Sequence, residues 1–313
     1  MGLFSKSRDK EAWLAMAIQR DGIAAASVRR VAAAKPALTA AVFFPGAQSE
    51  EALEKAGKEL QSSAYRCTTV LAGGDYQFMS VESPNVPRAE LKTAMRWRLK
   101  DIIDFPVAEA TIDVLELPAG PSAGARAQQS VFAVAARNGV IAARQQLFAA
   151  AKVKLNAIDI PEMAQRNISA MLEADGRGVA MLSFGDDGGL LTVSWNGELY
   201  LSRRIDVTLA QLLEPEHERK LGSFDKITLE LQRSLDHFER QFSFISVAKL
   251  VLAPTAASGL EEYLSSNLYT RVETLDLASL FDLGATPDLA DAARQQRFFI
   301  AIGAALRDEK AAA

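Results

Sequence analysis

Histidine is scarce in this chain, with two among 313 residues, and one of them, His237, directly follows Asp236 inside "ITLELQRSLDHFERQF" (227–242). A carboxylate beside an imidazole has the parts of a general acid–base pair. The same stretch reads as a helix, however, and a helix turns by about 100° per residue. Side chains at adjacent positions therefore diverge and cannot converge on one substrate. Phe224, Ile227, Leu231, Leu235, Phe238 and Phe242 step by 3, 4, 4, 3 and 4, which predicts one continuous apolar stripe with His237 beside it. The stretch is expected to be a packing element and not a catalytic one.

The remaining chemically suggestive residues each have a plainer reading. Asp186-Asp187-Gly188-Gly189 could start a metal site, but Asp and Gly are the ordinary turn residues and no third ligand lies nearby, so a solvated β-turn is expected. His217, in "EPEHERK", is expected in a charged, solvated loop. Cys67 sits in the apolar run Cys67-Thr68-Thr69-Val70-Leu71 and reads as a buried strand cysteine. The segment 88–103 carries Arg88, Lys92, Arg96, Arg98 and Lys100. Such a run is most often a solvated helix face with Trp97 and Leu99 partly buried; its other reading is a docking surface for an acidic peptide or lipid headgroups. Arg203-Arg204 carries no interpretable signal. No metal-ligand spacing, Ser/His/Asp order or P-loop occurs in the sequence.

Composition bounds the partners. The chain is 49% hydrophobic and 24% charged, with a net charge of −4, so nothing favours nucleic acid or an anionic membrane as a direct ligand. A single cysteine excludes an internal disulfide framework and fits a reducing compartment. The longest uncharged stretch, 36–49, is broken by Pro45-Gly46 and is too short to span a bilayer. "MGLFSKSRDK" has no apolar signal-peptide core, and Lys6 stands where a myristoylation signal needs Ser or Thr. A cytoplasmic protein, reaching a membrane only through a partner, is expected.

The elements that must position these residues form an α/β order. Two strands flank Asp21-Gly22, a hairpin signal, and "ALTAAVFF" makes a third. A helix begins at Ser49, a plausible N-cap. From residue 65 come strands "CTTVLAG" and "YQFMSVES", the helix starting at Pro87, and two strands flanking "PAGPSAGARAQQ" (118–129), the best candidate for a mobile segment. The helix "NGVIAARQQLFAAAK" closes that module. A strand near "LNAIDI", a helix from Pro161 to Leu172, and a three-strand meander over 179–207 turning at Asn196-Gly197 follow. The Phe224 stripe helix, strand "KLVLAP", helix "GLEEYLSSNL", strand-like "RVETLDL" and a terminal helix complete two β-meander-plus-helix halves with an α+β module inside the first.

Several segments, in order, resemble the PilM-like proteins of type IV pilus assembly, which are relatives of FtsA in the actin-like ATPase superfamily. "AMRWRLKDIIDFPVAEATIDV" resembles that family's helix, Pro-containing turn and strand. "FAVAARNGVIAARQQLFAAAKVKLNAIDIPEMA" resembles its following strand–helix–strand. "LELQRSLDHFERQF" and "FFIAIGAALR" resemble its long helix and its closing helix. The MshI subgroup, of mannose-sensitive haemagglutinin pilus biogenesis, is the most similar. The resemblance implies an α/β, two-lobed actin-like (RNase H-like) fold. The first lobe would comprise 11–64, 154–175 and 286–308, the inserted α+β subdomain 65–153, and the second lobe 176–285. It also implies docking on the N-terminal cytoplasmic tail of a PilN-like bitopic inner-membrane protein, in a groove lined by the first lobe and the inserted subdomain. Arg88, Lys92, Arg96 and Trp97 are the candidate partner-binding residues.

Actin-like ATPases hold phosphate in two hairpin turns and adenosine at a Gly-Gly turn, each offering backbone N–H groups. Here the first turn reads "AMAIQRDGIAAASV", with no hydroxyl between Trp13 and Ser27. In the second, "LSFGDDGGLLTV", Ser183 takes the place of the acid and two aspartates crowd the phosphate position, although Gly185, Gly188 and Gly189 keep backbone freedom. In the third, "VLAPTAASGL", Pro254 lacks an N–H and Thr255 brings a β-carbon where close approach is needed. Ser183, Gly185, Gly188, Gly189, Pro254 and Thr255 thus mark a vestigial nucleotide cleft. No catalytic residue, metal or cofactor is expected; weak Mg-ATP binding, as in an ATP-dependent switch, is the alternative.

Overall fold

The computed structural model describes residues 12–32, 34–118 and 130–308. Strands β1 (Trp13–Gln19), β2 (Gly22–Arg29) and β3 (Ala37–Pro45) form an antiparallel meander, followed by helix α1 (Glu50–Glu59) and strand β4 (Arg66–Val70). Ser49 caps α1, its side chain accepting from the Ala52 N–H. Next come β5 (Tyr76–Glu82), α2 (Leu91–Leu99), β6 (Ala110–Glu116), β7 (Ser130–Arg137), α3 (Asn138–Ala150), β8 (Leu155–Asp159) and α4 (Pro161–Ser169). The second half repeats the opening pattern: β9 (Gly178–Gly185), β10 (Gly188–Trp195), β11 (Glu198–Ile205), a short α5 (Leu209–Leu212), the long α6 (His217–Gln241), β12 (Val247–Leu252), α7 (Leu260–Asn267) and β13 (Val272–Thr274). Helix α8 (Ala292–Ala305) closes the fold.

Two five-stranded sheets result, ordered β3-β2-β1-β4-β8 and β11-β10-β9-β12-β13, together with a three-stranded sheet β5-β7-β6. In each large sheet a meander carries two further strands in parallel on its first strand's free side. This is the two-lobed arrangement expected from the sequence. Helices cover both faces of each sheet, so β1, β2, β9 and β10 read as nearly unbroken apolar runs and not as alternations. Alternate residues face opposite layers. Leu14 and Met16 pack outward beside Leu53 of α1 and Phe148 of α3. Ala15, Ala17, Ala24 and Ala26 face inward, where their small side chains let Phe298, Ile302 and Ala305 of α8 approach. The same inner core takes in Ala164 and Ile168 of α4 with Val179 and Met181 of the second sheet, so α4 and α8 lie between the lobes. No helix among the described residues is long and apolar enough to cross a membrane.

Several boundaries differ from the sequence reading. β4, assigned above to the inserted subdomain, pairs in parallel with β1 and β8 and belongs to the first sheet. Phe148, Ala151 and Val153, also assigned there, fill the first lobe's outer core. The inserted sheet proper therefore runs from β5 to β7. Residues 277–283, assigned to the second lobe, return to the first: Leu38 donates to the Asp282 carbonyl and Asp282 to that of Pro36. The stripe helix starts ten residues earlier than the quoted stretch, so His217 is its first residue and not part of a loop. Its stripe packs as expected, with Phe224, Ile227, Leu231, Leu235 and Phe238 buried, while Asp236 and His237 are exposed. Loop 118–129 lies, from residue 119 on, outside the described residues, as does "MGLFSKSRDK".

Candidate functional site

In this architecture the β1–β2 and β9–β10 hairpins point their turns into the cleft between the lobes. Both are two-residue turns. Gln19 pairs with Gly22, leaving Arg20-Asp21 as the turn residues where the sequence suggested Asp21-Gly22. Gly22 serves a close approach instead: a β-carbon there would lie 2.2 Å from the Phe44 carbonyl oxygen. In the second hairpin Gly185 pairs with Gly188, leaving Asp186-Asp187 at the turn. Gly188 combines φ +107° with a β-carbon position 2.7 Å from the Ile205 carbonyl oxygen, so only glycine fits.

The polar groups at these turns are engaged mainly by neighbouring elements. Arg20 Nε lies 4.0 Å from Asp186 Oδ2, linking the two turns directly. Asp21 pairs with Arg297 of α8 at 2.8 Å. Asp187 Oδ2 accepts from the Gly73 N–H at 2.9 Å, joining the second hairpin to the loop after β4. Ser183, at the position read as a lost acid, donates to Gln165 Oε1 at 2.5 Å. Gln165, fully buried on α4, spends its Nε2 on the Met181 and Leu190 carbonyls and the Thr192 hydroxyl. At the third turn Pro254 is buried, the Thr255 hydroxyl accepts from the Ala257 N–H, and the Ala256 N–H donates to Gln296 Oε1. Gln296 Nε2 is buried and has no hydrogen-bond partner among the described residues. The structure thus brings Ser183, Gly185, Gly188 and Gly189 together on one hairpin, and Pro254 and Thr255 onto the loop after the neighbouring strand.

A residue that sequence reasoning passed over lies at the centre. Arg204, near the end of β11, donates from Nη2 to Glu162 Oε1 at 2.8 Å and to the Tyr76 hydroxyl at 2.6 Å. Tyr76 in turn donates to Glu162 Oε2 at 2.5 Å. Glu162 is 1% exposed in the first turn of α4, where the helix dipole favours a carboxylate. A carboxylate so deeply buried is tolerated only with its oxygens bonded to donors, and both are. Burial, followed by the charge of Glu162, pushes the Tyr76 phenol far above its ordinary range. Burial pulls the Arg204 guanidinium down, but Glu162 and then Tyr76 outweigh it and hold the group above its usual value. Among the described residues no group of three or more His, Cys, Asp or Glu side chains could hold a metal ion.

The named basic helix sits elsewhere. α2 packs on the inserted sheet through Leu91, Met95 and Leu99. Arg88 pairs with Glu116 at 2.8 Å and Lys92 with Asp113 at 2.6 Å, while Arg96 donates to the Val107 and Ala110 carbonyls. Trp97, expected to be partly buried, is 76% exposed, because the buried positions of α2 fall at 91, 95 and 99. A hollow of about 220 Å³ opens at one end of the inserted sheet, lined in part by Asp75, Tyr76, Asp104, Phe105 and Arg137. None of Arg88, Lys92, Arg96 and Trp97 lines it.

No protein-family model matches the chain, and no curated protein sequence does. A solved structure described as a PilM–PilN type IV pilus biogenesis complex is similar over 95% of this chain and 98% of that one, with 20% identity and a TM-score of 0.75. A Bacteroides thetaiotaomicron protein described as having an actin-like ATPase fold is similar over 93% of this chain and 100% of its own, with 9% identity and a TM-score of 0.50. These likenesses establish a PilM-like, actin-like fold for the chain.

Proposed function

We propose that this chain is a cytoplasmic scaffold of a type IV pilus assembly platform, of the mannose-sensitive haemagglutinin type, with a cleft no longer suited to nucleotide. It binds the N-terminal cytoplasmic tail of a PilN-like bitopic inner-membrane protein and reaches the membrane through that partner. The observation that carries the reading is end-to-end likeness in fold to the protein of a PilM–PilN complex. The hollow at the end of the inserted sheet supplies a recess for part of an extended segment, and β8 stands at the edge of the first sheet, the position at which a further strand adds.

The degraded cleft is supported by the engagement of its turns. A triphosphate entering between the hairpins would meet Asp186 and Asp187 at the second turn as like charges. A second reading, an ATP-dependent switch of the PilM and FtsA kind, is favoured by one observation, the unpartnered Gln296 Nε2 beside the third turn. Two titrations of the purified chain separate these readings. Tail peptides of the bitopic proteins encoded beside it are expected to bind with micromolar affinity, and failure of every tail would overturn the scaffold. Calorimetry with Mg-ATP is expected to give no heat of binding; a micromolar dissociation constant would favour the switch.

A further inference from the structure

In a two-lobed fold whose helices α4 and α8 lie between the sheets, something must fix the angle between the lobes. Where a nucleotide binds, its phosphates bridge both hairpins. Here the second sheet, the inserted sheet and helix α4 meet in one side-chain cluster. Arg204 belongs to the second sheet, Tyr76 opens the inserted sheet, and Glu162 opens α4. The residues stand 128 and 42 positions from Arg204 along the chain, so the cluster closes two long loops at one point. The guanidinium also lies against the loop after β4: a β-carbon on Gly73 would come 3.2 Å from Arg204 Nη1 and 3.3 Å from Asp187 Oδ2. Gly73 thus lets the loop sit between the arginine and the second hairpin, to which its own N–H is bonded.

We infer that Arg204 acts as a built-in substitute for bound nucleotide, a clasp that holds the second sheet, α4 and the inserted sheet together through Glu162 and Tyr76 and bears on the first lobe through the loop at Gly73. The inference rests on the reading of the cleft as one without nucleotide and goes beyond it by naming what does the closing. The side chain is 38% exposed whereas Glu162 is 1% exposed, so the clasp is anchored on the carboxylate and accessible at the arginine. Water can reach the cation, which makes opening a local event that need not unfold either lobe. Tyr76 also lines the hollow at the end of the inserted sheet, placing the clasp next to the recess assigned above to the partner.

The test is hydrogen exchange on the full chain without ligand, combined with the distance between spin labels at exposed Lys55 on α1 and Ser265 on α7. Hydrogen bonds to a charged group shift an opening equilibrium by about ten- to hundredfold. Arg204→Met is therefore expected to speed exchange across 72–76 and 185–189 by that factor and to lengthen the label distance. Arg204→Lys, which keeps a cation with donors, is expected to restore most of both. Tyr76→Phe removes only the hydroxyl and guards against a methionine variant that fails to fold; its exchange is expected to rise at 76–82 while that at 185–189 stays unchanged. Wild-type rates and distance in both Arg204→Met and Tyr76→Phe would overturn the clasp, as would a wild-type distance that shortens when Mg-ATP is added. Tail-peptide binding by the wild type is a separate measurement, so the scaffold reading can stand where the clasp falls, and the reverse.

Discussion

Gly303 makes the interlobe packing testable by a single methyl group. It lies on α8 where that helix crosses α4, and a β-carbon there would sit 2.2 Å from the Ala164 carbonyl oxygen and 2.7 Å from the carbonyl carbon. Both are backbone atoms and cannot rotate away, so the helices must separate by about 1 Å to reach normal contact distance. Overpacking of this kind costs about 3 kcal/mol, against about 1 kcal/mol gained by alanine over glycine in a helix. Gly303→Ala should therefore lose about 2 kcal/mol net. Unfolding entropy of roughly 2.1 cal/mol/K per residue over 313 residues converts that to a fall in Tm of about 3 °C. Gly222 in α6 is the matched control, since nothing lies within 4 Å of its β-carbon position. Gly222→Ala should collect the helix gain alone and raise Tm by about 1.5 °C. Scanning calorimetry of the pair in one buffer reads the difference. A Gly303→Ala protein as stable as wild type would refute the close helix crossing, and with it the placement of α4 against α8.

Two further predictions concern surfaces. Lys152 and then Lys58 hold the Glu54 carboxyl below its ordinary 4.5, at about 2. A depressed folded value means that the pair contributes stability above the unfolded value and loses it as pH falls through about 2, so carboxyl NMR should find the midpoint there and Lys152→Met should move it back toward 4.5. Trp97, being 76% exposed, should tolerate alanine with a stability change below about 0.5 kcal/mol. If α2 contributes to tail docking, the same variant should weaken tail binding about tenfold or more, and unchanged affinity would remove α2 from the docking surface.

What the sequence disclosed follows how local the deciding interactions are. The stripe from Phe224 to Phe238 is set by helical period alone, and the burial matches it residue by residue. Both cleft hairpins were legible as hairpins, yet the Arg20-Asp21 turn was misplaced by one residue because Gly22 looked like a turn glycine when its need was a close approach to Phe44. β4 was assigned to the wrong module because parallel pairing with β1 and β8 joins distant segments and leaves no mark in the adjacent sequence. Arg204 was invisible for the same reason. An Arg-Arg pair at a strand end looks like a solvated terminus, and only folding brings Glu162 and Tyr76 to it. Trp97 was expected to be partly buried, although the spacing of Leu91, Met95 and Leu99 defines the buried edge of α2 and leaves position 97 outside it.

The position of α8 also sets an order of assembly. The second sheet is built from one uninterrupted stretch, 178–274, so its contacts close over short separations. The first sheet cannot cover its inner alanine face until α8 arrives from residues 292–305, and Gln19 is bonded to a carbonyl 278 positions away. During synthesis the first sheet must therefore wait with an uncovered apolar face, whereas the second sheet meets α4, already made, as soon as it forms. The first sheet's inner face is thus the last to be covered, and the interval before α8 leaves the ribosome is when that face is most open to aggregation or chaperone capture.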